Sequence, residues 1–199
     1  MRKRLLAELI GAYILVFAGT GAVMINDITG SPGHVGIALT FGFVVVALIY
    51  SFAHLSGAHF NPAVTIAFWS IGEFDSKKVI PYICAQLFGA IAASASLYFL
   101  LNENFVAMSE VSYLGATLPY GSVTQAFGFE LILTFILMIV ICSSAVHGKA
   151  TKDFAGLAIG LTVGLEAMFA GPITGGSMNP ARSIGPAVMS GNYEHLWIY

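Results

Sequence analysis

The tripeptide Asn-Pro-Ala occurs twice in this chain, at residues 61–63 and 179–181. The first copy lies in the stretch SGAHFNPA (residues 56–63) and the second in GGSMNPAR (residues 175–182). Asparagine is a strong helix N-cap and proline is favoured at the first helical position, so each copy predicts the start of a helix. The alternative is a pair of ordinary Asn-Pro turns in surface loops. The matched surroundings favour two equivalent helix starts.

The solvent of this chain is predicted to be mostly lipid. It is 57% hydrophobic and only 9% charged, whereas soluble domains carry about 25% charged residues. The net charge of −2 gives no reason to expect a nucleic acid partner. Cys84 and Cys142 both lie inside apolar runs, which argues against a disulfide framework. No signal peptide is evident, because Arg2-Lys3-Arg4 leads directly into an apolar stretch.

Five stretches have roughly the 20 apolar residues that a membrane-spanning helix needs. They are residues 5–25, 34–55, 79–101, 125–146 and 154–170. A helix over residues 62–70 would be only ~13 Å long, under half of the ~30 Å hydrocarbon core. The sequence therefore predicts an all-α membrane protein in which two short helices enter the membrane without crossing it.

The basic residues predict the orientation. Seven of them fall in alternate loops on one side: Arg2, Lys3, Arg4, Lys77, Lys78, Lys149 and Lys152. The opposite loops hold Asp27, Glu103 and Glu110 but no Lys or Arg. By the positive-inside rule we expect a multi-pass protein of the cell membrane with a cytoplasmic N-terminus. Arg182 lies in neither set of loops, so it is expected to lie inside the membrane. An isolated intramembrane arginine favours function over a structural ion pair.

The two halves of the chain resemble each other. Residues 8–17 parallel residues 130–139, and each half continues through a second apolar stretch into Asn-Pro-Ala. Since three spans precede the second copy, the copies enter the membrane in opposite orientations, which is the inverted-repeat pattern. We therefore expect one domain over residues 1–199, with a first repeat at 1–105 and a second, truncated repeat at 121–199.

Small residues recur every fourth position on two of the spans. They are Gly156, Gly160 and Gly164 on one span and Ala85, Gly89 and Ala93 on another. Such stripes let helix backbones approach closely in lipid. The pattern predicts a tightly packed bundle.

The short helices predict a polar path through the bundle. Their N-termini would meet at the membrane midplane, each bringing roughly half a positive charge. The irregular backbone before each start is tolerated at membrane depth only where it is buried or lines a watery cavity. The side-chain amides of Asn61 and Asn179 would be free to donate if their oxygens cap the helices. Carbonyl acceptors are expected from Gly57, Ala58, His59, Gly175, Ser177 and Met178. This arrangement suits a file of water.

With Asn-Pro-Ala-Val at 61–64 and Asn-Pro-Ala-Arg at 179–182, the chain resembles the aquaporins of the major intrinsic protein family, from Arg4 to its end. The resemblance implies pore motifs at Asn61, Pro62, Ala63, Asn179, Pro180 and Ala181. It also implies a narrow filter built from Phe41, Ala167, Gly176 and Arg182, although the chain has 15 phenylalanines and most must face lipid or core. Strict water channels of the family usually have histidine where this chain has Ala167, and some archaeal relatives lack it too. The filter is therefore expected to be wide and apolar.

Other roles also follow from the resemblance. Glu8 and Glu130 match between the halves and would hold the two loops through backbone N–H groups; for Glu8, a position at the membrane interface is the alternative. His59 would offer its carbonyl, with its ring at the cytoplasmic mouth and a pH-sensing role as one option. The family has six spanning helices and assembles as homotetramers. The sixth helix is absent from this chain, so we expect the natural protein to continue beyond Tyr199.

The function predicted from the sequence is a passive channel for water, with small neutral solutes as further cargo, that excludes protons and ions. One alternative is a facilitator of glycerol, other small polyols or gases. A coupled secondary transporter is a less favoured alternative, because only Glu130 and Glu166 could serve as coupling acids. An enzyme is not expected, since the sequence holds no nucleophile–base pair and no metal-ligand spacing. No cofactor or metal is expected.

Overall fold

The computed structural model describes residues 1–102 and 112–199. Seven α-helices lie in this part of the chain: α1 (Arg2–Thr29), α2 (Gly33–Ser56), α3 (Pro62–Ser70), α4 (Ser76–Asn102), α5 (Val123–Ile141), α6 (Ala155–Thr174) and α7 (Pro180–Ser190). A π-helical turn at Cys142–Val146 extends α5, and a 3-10 turn at Lys152–Phe154 precedes α6. Glu103 and Glu110, which entered the orientation argument, lie outside the described residues.

Five of these helices are long and apolar enough to cross a membrane, namely α1, α2, α4, α5 together with its π turn, and α6. Large apolar side chains such as Phe88, Phe99, Leu131 and Phe135 face outward. Carboxylate, amide and guanidinium groups lie buried inside the bundle. Because a soluble protein could not expose so much apolar surface, this arrangement is that of a membrane protein.

The predicted start of each short helix is confirmed. α3 begins at Pro62 and α7 at Pro180, and Asn61 and Asn179 are their N-caps in extended conformation. α3 has 9 residues and α7 has 11, so both are too short to cross a membrane. The alternative interpretation, two ordinary Asn-Pro turns in surface loops, is wrong.

Two of the predicted spans, residues 5–25 and 154–170, end too early. α1 continues through Asn26 to Thr29 before Gly30 ends it in a left-handed conformation. α6 continues past Ala170 to Thr174 although it contains Pro172. Proline has no N–H for the carbonyl four residues earlier, and the ring Nε2 of His34 contacts this carbonyl, that of Met168, instead. The partner on α2 explains why α6 is not interrupted.

Glycine stripes allow the helices to pack at backbone contact, as predicted. A Cβ added to Gly89 would lie 2.2 Å from the carbonyl oxygen of Leu9 on α1. On α6, a Cβ added to Gly160 would lie 2.7 Å from the carbonyl oxygen of Gly42 on α2. These two contacts close the pairs α1–α4 and α2–α6, and the short helices lie within the resulting bundle.

Candidate functional site

The N-termini of α3 and α7 meet inside the bundle through crossed hydrogen bonds. The side-chain oxygen of Asn61 accepts from the N–H of Ala63 at 2.8 Å, and that of Asn179 accepts from Ala181 at 3.0 Å. The side-chain amide of Asn61 donates to the carbonyl of Met178 at 2.7 Å. Each asparagine thus caps its own helix and bonds the loop of the other half. The first loop is residues 57–61 and the second loop is residues 175–179.

The reciprocal bond runs from the amide of Asn179 to the carbonyl of Phe60 at 3.0 Å. The side-chain oxygens cap the helices and both amides are donors, as the sequence suggested. One N–H of each amide is used between the loops, which leaves one N–H for a molecule in the path. The carbonyl of Phe60 takes part in this junction.

Glu8 and Glu130 each accept hydrogen bonds from the backbone N–H groups of one loop. Glu8 is 0% exposed and accepts the backbone N–H of His59 at 3.0 Å and that of Phe60 at 2.7 Å. Glu130 accepts those of Ser177 at 2.9 Å and Met178 at 2.8 Å. The alternative placement of Glu8 at the membrane interface is wrong, because its carboxylate is enclosed by the first loop.

Two hydroxyl residues of the site were missed by the sequence argument. Ser56 donates to Glu8 at 2.6 Å and accepts the N–H of Ala58. Thr174 donates to Glu130 at 2.6 Å and accepts the N–H of Gly176. Both are the fifth residue before the asparagine of their loop, so aligning the two loops on Asn61 and Asn179 would have found them.

Two tyrosines complete this arrangement from neighbouring segments. The hydroxyl of Tyr82 on α4 donates to the carbonyl of Ser56 at 2.9 Å. The hydroxyl of Tyr199 donates to the carbonyl of Thr174 at 2.7 Å. Each bond satisfies the last carbonyl of a spanning helix just before the chain turns into its loop. Neither contact has a local signal in the sequence, because the partners are distant along the chain.

Arg182 is buried, with 3% of its surface exposed, and its guanidinium is held from two sides. Its Nη1 donates to the carbonyl of Gly115 at 2.7 Å. Its Cζ lies 5.1 Å from the centre of the Phe41 ring, within cation–π range. Among residues 1–102 and 112–199 it forms no ion pair, and its buried Nε has no hydrogen-bond partner. The alternative of a salt-bridge arginine therefore finds no support in this part of the chain.

A cavity of about 510 Å³ runs along both loops. Ten predicted site residues line it: Phe41, Gly57, Ala58, His59, Asn61, Gly176, Ser177, Met178, Asn179 and Arg182. Apolar residues of four long helices form much of the remaining wall: Leu15, Val45, Ile49, Leu137, Ile141, Ile159 and Val163. One wall is thus polar backbone and amide, and the rest is mostly aliphatic.

The structure does not bring every predicted residue to this cavity. Ala167 and Gly175 are not among its lining residues. Ala167 lies behind Gly176, since a Cβ added to Gly176 would lie 3.4 Å from the Cα of Ala167. A Cβ added to Gly175 would lie 3.0 Å from Thr117. Three of the four expected filter positions therefore share the cavity wall.

The ring of His59 is not open to the mouth of the cavity. It is buried among the rings of Phe68, Phe74 and Tyr82, with centroid distances between 4.8 and 5.3 Å. Its Nδ1 lies 3.0 Å from the hydroxyl oxygen of Thr65. An aromatic cluster that encloses the imidazole favours a packing role over the pH-sensing option.

Three comparisons identify the relatives of this chain. The family profile described as "Major intrinsic protein" matches residues 1–199. Aquaporin NIP1-2 of Oryza sativa subsp. japonica is 45% identical over 203 residues, which is 100% of this chain and 67% of that protein. Nodulin-26 of Glycine max is 46% identical over 198 residues, covering 99% of this chain and 71% of the relative.

The fold is also found among solved structures. The X-ray structure of the aquaglyceroporin from Plasmodium falciparum matches with a TM-score of 0.87 and 31% sequence identity. The match covers 99% of this chain and 88% of the aquaglyceroporin chain. With the family profile spanning residues 1–199 and relatives of this identity, the chain belongs to the major intrinsic protein family.

Proposed function

We propose that this protein is a passive channel for water and small neutral solutes. The observation that carries the proposal is the junction of two helix N-termini on one cavity, with Asn61 and Asn179 crossing between the halves. Two positive helix ends and the buried Arg182 repel cations from this path. Similar proteins are named aquaporins, and the similar solved structure is an aquaglyceroporin.

The asparagines orient water at the centre of the path. Each amide keeps one N–H for a passing molecule, while its oxygen is occupied by its own helix. A water at this point accepts from both amides and donates outward in both directions, so a chain of identically oriented waters is interrupted. The carbonyls of Gly57, Ala58 and His59 on one side, and of Ser177 and Met178 on the other, offer acceptors along the approach.

Phe41, Gly176 and Arg182 form the selective part of the wall, with Ala167 behind Gly176. Neither Gly176 nor Ala167 has a side chain that reaches far into the lumen, so the filter admits solutes larger than water. The aliphatic wall opposite the carbonyls suits the carbon side of a small polyol. This observation favours glycerol-sized cargo as a second candidate beside water.

A passive channel is favoured over a coupled transporter by the position of the acids. A coupling acid must meet the path that its ion takes. Neither Glu130 nor Glu166 is among the residues that line the cavity, and Glu130 accepts hydrogen bonds from Thr174, Ser177 and Met178. The family of channels to which the chain belongs supports the same choice over an enzyme.

The remaining architecture is part of the proposal. We propose that residues 1–199 form one domain of two inverted repeats, 1–105 and a truncated second repeat at 121–199, and the matched bonds of Glu8 and Glu130 support this proposal. The protein lies in the cell membrane with a cytoplasmic N-terminus and assembles as a homotetramer.

Stopped-flow light scattering of vesicles that contain the full chain tests the proposed function. After a hypertonic shock, these vesicles should shrink faster than empty vesicles and show a low activation energy for water. With glycerol as the osmolyte, they should re-swell faster than empty vesicles. Shrinkage no faster than that of empty vesicles would refute the channel. A proton gradient that changes the steady-state distribution of glycerol would favour a transporter.

Arg182→Ala tests the filter within the same assay. Removing the guanidinium widens the path and removes a positive barrier, so permeability to glycerol should rise relative to water. An increase of roughly tenfold corresponds to about 1.4 kcal/mol in a barrier. Lys149→Ala, which removes an exposed loop cation, is the matched control. Equal glycerol-to-water ratios in both variants would remove Arg182 from the filter.

A further inference from the structure

The segment of residues 113–120 packs against the second loop and both of its ends are anchored. Leu114 is buried against Met24 on α1 and Leu97 on α4. The backbone N–H of Tyr120 donates to the carbonyl of Ile173 at the end of α6 at 3.0 Å. The segment thus joins helices of both halves beside the start of α7.

Within this segment the backbone is shaped to present one carbonyl. Tyr113, Leu114 and Gly115 have φ angles of 44°, 62° and 73°, so three successive residues adopt the left-handed conformation. Residues other than glycine rarely do so, and such conformations persist where surrounding contacts enforce them. The result is that the Gly115 carbonyl accepts from Nη1 of Arg182 at 2.7 Å.

A chain of hydroxyl groups fixes the same segment to α7. Thr117 donates to the hydroxyl of Ser183 at 2.8 Å, and the hydroxyls of Ser183 and Ser177 are 2.6 Å apart. Ser177 in turn donates to the carbonyl of Asn179 at 3.0 Å. If Ser183 donates to Ser177, the hydroxyls of Ser183 and Ser177 each accept one hydrogen bond and donate another, and such chains are cooperative. Thr117 starts this chain.

Within residues 1–102, the first half shows no equivalent of this attachment. Thr65, like Ser183, is the fourth residue after its asparagine. Its hydroxyl is bonded instead by Gln86 on α4 at 3.0 Å and contacts the ring of His59. The attachment through Thr117 therefore occurs in the half that carries the arginine, and Ser183 directly follows Arg182.

We propose that Thr117 is a positioning residue for selectivity: its bond to Ser183 fixes the 113–120 segment against α7 and so keeps the Gly115 carbonyl on the Arg182 guanidinium. Without this bond, the guanidinium loses a fixed acceptor and turns its donors towards the lumen. The inference rests on the proposed role of Arg182 in the filter.

The test compares Thr117→Val, which removes the hydroxyl at nearly equal volume, with Thr117→Ser, which keeps it. In vesicles with matched protein content, Thr117→Val should lower water permeability by about fivefold, the factor that one ordinary hydrogen bond of about 1 kcal/mol represents. It should lower the glycerol-to-water ratio and raise the activation energy for water. Thr117→Ser should restore all three values to within about twofold of the wild type. Thr29→Val, at an exposed position on α1, is the matched control.

Ser183→Ala cuts the same bond from α7 and gives an independent measurement. If the Thr117–Ser183 bond carries the effect, the double variant should be no more impaired than the stronger single variant. Thr117→Val with wild-type permeability, ratio and activation energy would overturn the proposal. So would failure of both Thr117→Val and Ser183→Ala to fold while Thr117→Ser folds normally, because the bond would then serve stability. Wild-type vesicles without water permeability would overturn the channel function itself.

Discussion

At the scale of single residues, Glu8 and Glu130 differ in the number of hydrogen bonds that their carboxylates accept. Each oxygen of Glu8 accepts two hydrogen bonds, one of them from the side-chain amide of Gln86 at 2.7 Å. Within the described residues, Oε2 of Glu130 accepts a single hydrogen bond, from the backbone N–H of Met178. The two carboxylates thus hold equivalent loops with different numbers of donors.

Replacing these glutamates by glutamine should reveal the difference. In a glutamine side chain, an NH2 group replaces one of the two accepting oxygens. At position 130 the NH2 group can take the place of the oxygen that accepts one bond, so it faces one donor. At position 8 either choice makes it face two donors. Glu130→Gln should lower the free energy of unfolding by about 1.5–3 kcal/mol, the value of one charge-assisted bond, and Glu8→Gln should lower it by more. Thermal unfolding in detergent measures the order. Glu73→Gln, in an exposed turn, is the control, and three equal midpoints would contradict the prediction.

Glu166 has no matching acid in the first half of the chain. It is 3% exposed, and within the described ranges neither of its oxygens has a hydrogen-bond partner. The position thirteen residues before Asn61 in the first half is occupied by Leu48, which is buried in the apolar core. The two halves therefore share the acids that hold their loops but not this one.

At the scale of helices, the contact of α2 with α6 depends on the absence of side chains. A Cβ on Gly160 would lie 2.3 Å from Val46 Cγ2 and 2.7 Å from the carbonyl oxygen of Gly42. By contrast, a Cβ on Gly128 of α5 would meet nothing within 4 Å in the part of the chain that the structure describes. The same substitution should thus have opposite effects on the two helices.

Gly160→Ala should destabilise the protein by about 1–3 kcal/mol, since the added methyl forces the two backbones apart. Gly128→Ala should be neutral or stabilising by up to about 1 kcal/mol, because alanine favours the helix. The midpoints of thermal unfolding in detergent should differ in sign relative to the wild type. A Gly160→Ala midpoint at or above that of Gly128→Ala would show that α2 and α6 are not in backbone contact.

Helix boundaries show which parts of the fold a sequence can predict. The starts of α3 and α7 were predicted correctly because the asparagine cap and the following proline act locally. The end of α6 was placed too early, because His34 satisfies the carbonyl that Pro172 leaves without a donor, and the two residues are far apart in sequence. For the same reason, the contacts of Gly115 and Thr117 with α7 could not be foreseen from their neighbours.

At the scale of the whole molecule, the distribution of charge predicts the orientation. The N-terminal basic cluster, the start of α4 and the turn before α6 carry the lysines and arginines, apart from Arg182. Lys152, just before α6, and His54, in the last turn of α2, both line the cavity, and this end of the two helices is expected to face the cytoplasm. Tyr120, which is 91% exposed, lies at the other end of α6, where its N–H donates to the carbonyl of Ile173.

Cysteine labelling in intact cells tests this orientation. In a background with Cys84→Ser and Cys142→Ser, Tyr120→Cys should react with a membrane-impermeant maleimide from outside. Lys77→Cys, at an exposed position, should react only after the membrane is permeabilised. The reverse pattern would place the N-terminus outside and would contradict the positive-inside argument.

The crossed bonds between the loops have a consequence for how such a protein can change over time. The amide of Asn61 needs the backbone of the second loop at Met178, and the amide of Asn179 needs that of the first at Phe60. The residues that each loop can tolerate therefore depend on the backbone of the other loop. The two halves differ elsewhere, as Glu166 and Leu48 do, but at this junction a substitution in one loop changes the contacts of both.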